Sequence, residues 1–112
     1  MTQLTSFGLN ALIDINAQTG TTYTLVLSDA GKMVQCTNAS AITLTVPLAS
    51  SVAFKKGTVV YIAQGGAGQI TVSPTVGVTL KKASTTKARA QESVLAIHYL
   101  GSDTWRLFGD AA

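Results

Sequence analysis

The sequence has one cysteine, Cys36, one histidine, His98, and one tryptophan, Trp105. A single thiol closes no internal disulfide, which excludes the disulfide-framed secreted scaffolds. Within an apolar stretch, Cys36 reads as a small buried hydrophobe. A metal centre needs several ligands, and Cys36 with His98 supplies two at most, so no metal and no other cofactor is expected. No serine lies in a Gly-x-Ser-x-Gly elbow, and the one imidazole is the only candidate base. The five acids, Asp14, Asp29, Glu92, Asp103 and Asp110, are too scattered to mark an acid–base pair. Gly65-Gly66-Ala67-Gly68 precedes a strand and not a helix, so it is no phosphate cradle. An enzyme is therefore not expected. Trp105, close to the C-terminus, reads as a core plug.

Charge is scarce too. Only 12% of residues are charged, against ~25% in a typical domain, while 46% are hydrophobic. Such a composition suits a hydroxyl-rich β surface, and equally a protein packed against other subunits. Acids are missing altogether between Asp29 and Glu92, where Lys32, Lys55, Lys56, Lys81, Lys82, Lys87 and Arg89 lie. That one-signed interval favours an acidic partner surface. No basic run carries interleaved aromatics, so nucleic acid is not an expected partner. No apolar run approaches the ~20 residues of a membrane helix, and the N-terminus lacks a basic leader. The expectation is a protein made in a cytoplasm, without a membrane partner.

What is present is period-two alternation. The organising stretch is Gly57–Pro74, which reads as strand, glycine turn and strand, a hairpin signal. Upstream, Thr21–Leu27 reads as a strand with Tyr23, Leu25 and Leu27 inward. Ser28–Gly31 is a tight turn. Lys32–Thr37 and Ala41–Val46 are strands, the second with Ile42, Leu44 and Val46 buried, and Pro47 ends it. Val52 and Phe54 are expected to plug the core, with Lys55 and Lys56 exposed. Downstream, Val78–Lys82 is a short strand, Glu92–Leu100 a central strand apolar on both faces, and Gly101–Asp103 the last turn before a closing strand from Thr104. Residues 1–20 read as an N-terminal arm or edge strand, and residues 21–112 as a single domain. The class is all-β: a two-sheet β-sandwich, jelly-roll-like, with an extended N-terminal arm.

Several phrases recur together in a known setting. Leu27-Ser-Asp-Ala-Gly-Lys32, Asn38-Ala-Ser-Ala-Ile-Thr-Leu-Thr-Val-Pro47, Gly57-Thr-Val-Val60, Gln64-Gly-Gly-Ala-Gly-Gln-Ile-Thr-Val72, Gly77-Val-Thr-Leu80 and Asp103-Thr-Trp-Arg-Leu-Phe-Gly-Asp110 resemble, in this order, a β-domain of tailed-phage virion proteins. A small chain of this kind is similar to the capsid decoration proteins, also called cement or staple proteins. The resemblance implies a jelly-roll-like domain bound in many copies outside the major capsid protein lattice, where it stabilises the mature shell. It implies a homo-oligomer too, a two-fold dimer or else a trimer, located on the virion exterior. Charge and burial, not the resemblance, select the contact residues. These are Phe7, Leu9, Leu12 and Ile13 in the arm, with Lys55, Lys56, Lys81, Lys82, Lys87 and Arg89. The alternative is a tail or fibre component, trimeric, binding host-surface polysaccharide.

Overall fold

The computed structural model describes residues 12–112, and all nine of its strands belong to two sheets. In chain order they are β1 (Ile15–Gln18), β2 (Thr22–Thr24), β3 (Met33–Cys36), β4 (Ile42–Val46), β5 (Val59–Gln64), β6 (Ile70–Pro74), β7 (Thr79–Lys81), β8 (Val94–Gly101) and β9 (Thr104–Gly109). A six-stranded sheet has the order β1-β3-β5-β8-β9-β7, and a three-stranded sheet the order β2-β4-β6. The all-β, two-sheet expectation thus holds.

The connectivity differs from the expectation. From β1 to β6 the chain alternates between the sheets, one strand in each, and every repeat stacks parallel on the one before. This is a β-solenoid arrangement of three rungs, not the hairpin-linked order of a jelly roll. The clearest correction concerns Gly57–Pro74. Its two strands, β5 and β6, lie in different sheets and pair with β3 and β4, so Gly65–Gly68 forms an arch and not a hairpin turn. The arch stacks on the preceding one: the Gly65 amide donates to the Cys36 carbonyl at 2.8 Å, and the Gly68 amide to Asn38 at 3.0 Å. The Asn38 side chain continues the stack downward, donating to the Thr19 carbonyl at 2.9 Å.

The last third closes the open rung. β8 pairs antiparallel with β5 and with β9, and β7 joins β9 in parallel. The β8–β9 hairpin turns through Ser102 and Asp103, both with positive φ (52° and 54°), as a two-residue turn matched to the strand twist requires. The Asp103 carboxylate also accepts from the Ala49 amide at 2.7 Å, anchoring the loop after β4.

Between the sheets, inward residues of each rung meet those of the next. Ile42 lies beside Ile70 and Leu44 beside Val72, while Val34 lies beside Ile62, and all six are essentially buried. Cys36 is fully buried, and burial pushes its thiol pKa up, which keeps it an unreactive thiol. Phe54 and Tyr99 pack on Trp105, with ring centroids 5.3 and 4.8 Å away. Leu27 departs from its expected inward position: β2 ends at Thr24, and Leu27 begins a 3-10 turn (Leu27–Asp29) that leaves it 55% exposed.

At the first rung, polar groups replace the apolar filling. Asp29 is 1% exposed and accepts from the Tyr23 hydroxyl (2.7 Å), the Asn16 amide (2.8 Å) and the Val26 backbone N–H (2.9 Å). Every buried acceptor is thereby satisfied, so the network can sit over the end of an apolar core without an orphaned charge. Burial first, and the Asp29 carboxylate second, push the Tyr23 pKa from 10.0 up to about 12. The folded value lies above the unfolded one, so the folded state holds this proton more tightly. Its contribution is complete below pH 10.0 and is lost as pH rises toward about 12. Urea midpoints are therefore expected to fall across that window, and to fall less in Tyr23→Phe. Parallel curves for the two proteins would remove Tyr23 as the cause.

Candidate docking surface

Strand alternation sends the side chains between the core positions to the outer face of the six-stranded sheet. Three rows cross that face. The middle row runs Ile15, Met33, Tyr61, Ala96 and Phe108, each directly paired with the next. Ile15 and Phe108, at its two ends, are 63% and 50% exposed. Met33 and Tyr61 are half-buried between them, so the row is an apolar stripe across five of the six strands, from β1 to β9. On one side runs Val59, His98, Arg106 and Lys81, again by direct pairing. On the other side lie Ala17, Gln35, Ala63 and Val94.

The cationic row ends in a shallow cleft of about 380 Å³ at the β7 edge, lined by Lys81, Lys82, Ala83, Arg106, Leu107 and Phe108. No acid lines it, and strands β5, β7, β8 and β9 carry none. Three of the five acids are engaged elsewhere, Asp29 in its buried network, Asp103 on Ala49 and Asp110 on Arg89, while Asp14 and Glu92 are exposed in the segments before β1 and β8.

The sequence-predicted contact residues scatter. Lys81 and Lys82 come together in the cleft. Lys55 and Lys56 are exposed in the loop before β5, with the Lys56 side chain beside Gly101 at the end of β8. Lys87 lies on the segment bridged to Thr71 of β6. Arg89 is held in a two-bond ion pair with Asp110, at 2.8 and 2.9 Å. That pairing raises the Arg89 pKa and lowers that of Asp110, and it leaves Arg89 with its charge countered. Leu12 and Ile13 are exposed (68% and 47%) just before β1, which is the terminal strand of the large sheet. Phe7 and Leu9 lie outside the described residues.

Of the cleft's outward-pointing β9 residues, Arg106 and Phe108, neither was singled out from the sequence. Their signal was the alternation of Thr104-Trp-Arg-Leu-Phe, which sends Trp105 and Leu107 inward and Arg106 and Phe108 outward. Among the described residues, no group of three or more His, Cys, Asp or Glu side chains could hold a metal ion, and no helix is long and apolar enough to cross a membrane. Comparison with protein-family models, with curated proteins and with solved structures returns no match.

Proposed function

We propose that the protein is a capsid decoration protein of the cement or staple kind, binding the outside of a tailed phage's major capsid lattice and stabilising the mature shell. The role is binding and not catalysis. One observation carries it on the structural side. The outer sheet face combines an apolar stripe with a cleft of three cations and no lining acid, a surface suited to an acidic protein lattice. The resemblance of the ordered motifs to those of phage virion β-domains supplies the rest. Jelly-roll connectivity is not required for the role; an exposed docking face is.

The mechanism is linkage. A protein that binds only the expanded shell stabilises it by mass action, and many symmetric copies add multivalency. A two-fold dimer would bridge a seam between capsid subunits with the same patch on each copy. The test is co-sedimentation of the purified protein with undecorated expanded shells, together with its light-scattering mass. Saturation at a fixed ratio is expected.

The tail or fibre alternative gains one observation. Parallel rungs stacked in register are the units of elongated solenoids. It requires a trimeric mass, glycan binding and no association with shells.

A further inference from the structure

Lys81 and Arg106 are direct cross-strand partners on β7 and β9, and His98 follows Arg106 on β8. Like charges directly opposite one another destabilise a sheet. By contrast, the exposed Arg89 has Asp110 in a two-bond pair. In the cleft the pair Lys81–Arg106 has Lys82 as a third cation and no carboxylate in the lining. Such a cluster is relieved when an anion arrives from outside.

The surroundings define the anion. Phe108, half exposed, gives the cleft an apolar wall, and from it the apolar stripe continues across the sheet. A nucleic-acid strand calls for a groove of many cations with several stacking aromatics along it, whereas this cleft offers three cations and a single aromatic, Phe108. A neutral glycan needs hydrogen-bonding amides and carboxylates, which the lining lacks. The cleft also lies at β7, the terminal strand of the sheet, where an extended chain can align alongside.

We propose that this cleft receives an extended acidic peptide segment of a protein partner, with carboxylates on Lys81, Lys82 and Arg106 and an apolar side chain against Phe108. The inference rests on the reading of the outer sheet face as the docking face, and it specifies the chemistry of what docks there. Arg106 contributes bidentate recognition of a carboxylate, and the two lysines contribute point charges. Phe108 is the residue by which the cleft distinguishes a mixed acidic–apolar segment from a purely acidic one.

The experiment is an NMR titration of the isotope-labelled full chain with a capped Glu-Leu-Glu-Leu-Glu peptide at low salt. Saturable shifts are expected at Lys81, Lys82, Arg106 and Phe108, with little change at Lys55 and Lys87. Arg106→Glu should weaken binding about tenfold or more, and Phe108→Ser should erase the preference for this peptide over an all-Glu peptide. Unmoved core amides would show that both variants remain folded. The proposal is overturned by an absence of shifts, by equal shifts at Lys55 and Lys87, or by a Phe108→Ser variant that keeps the preference. Tighter binding of an oligonucleotide or a sulfated glycan in the same cleft would overturn it as well. Shell binding without peptide binding would sink this inference and leave the decoration reading standing. Peptide binding without shell binding would do the reverse.

Discussion

Replacing Gly68 by alanine is expected to cost roughly 3–4 kcal/mol of folding stability, while Gly65→Ala should cost no more than about 1 kcal/mol. The two glycines sit in one arch, and their surroundings explain the difference. A Cβ on Gly68 would fall onto the backbone of the arch beneath, at the Ser40 carbonyl and 2.6 Å from the Asn38 oxygen. Backbone cannot swing aside. The arches would have to separate, and the hydrogen bond from the Gly68 amide to Asn38 would be lost with them. A Cβ on Gly65 meets only side-chain atoms of Thr37 and Gln35, at 3.2 Å and beyond, and these can move by a few tenths of an ångström. Neither glycine has a positive φ. Conformational freedom is therefore not what selects them; the close approach of stacked backbone is. Thermal unfolding should show Gly68→Ala lowered by roughly 12–16 °C, at about 4 °C per kcal/mol for a domain of this size. Equal losses for the two variants would contradict the stacked arch.

The second large effect concerns binding. Lys81→Glu/Lys82→Glu is expected to weaken association with expanded shells on the order of 100-fold, equivalent to about 2.7 kcal/mol. Both residues are exposed, so the fold should be unaffected. Each reversal replaces an attraction by a repulsion, and both fall in one cleft beside Arg106. Lys87→Glu, outside the cleft, is the control and should have a much smaller effect. Wild-type binding should weaken as salt is raised, and the double variant should respond less, because exposed charges are screened within a Debye length of about 10 Å at 0.1 M. Shell binding that ignores both salt and the double reversal would make the cleft a solvated face with no part in docking.

Much of the local structure was legible in the sequence. The alternation of Ile42, Leu44 and Val46, the stop at Pro47, the turn at Gly101–Asp103 and the plug at Trp105 all follow from side-chain period and turn chemistry. Partnership was not legible in the same way. Alternation says which face a residue occupies, and nothing about which strand lies beside it. Two strands flanking a glycine cluster look alike whether they pair with each other or fold over into separate sheets. A signal did exist: Ile42-Thr-Leu-Thr-Val-Pro47 and Ile70-Thr-Val-Ser-Pro74 are near repeats, and they stack in register from Ile42 on Ile70. Repeats of that kind point to rungs. The cleft was half legible. Charge located Lys81 and Lys82, but their meeting with Arg106 depends on β7 pairing in parallel with β9, a contact between distant parts of the chain.

The same stacking writes an ordered pattern on the opposite side of the molecule. On the outer face of the three-stranded sheet, Thr22, Thr43 and Thr71 form one file, and Thr24, Thr45 and Ser73 form a second. Successive hydroxyls in each file are spaced by the strand separation, about 4.8 Å. The molecule is thus two-sided: cations and apolar groups on one broad face, files of hydroxyls on the other, with Lys87 at the edge beside Thr71. A particle coated through the first face would turn the second toward its surroundings. It would meet them chiefly with hydroxyls, which neither titrate nor respond to salt, and under the proposed decoration role the scarcity of charge in this chain would let the coat mask the electrostatic character of the lattice beneath it.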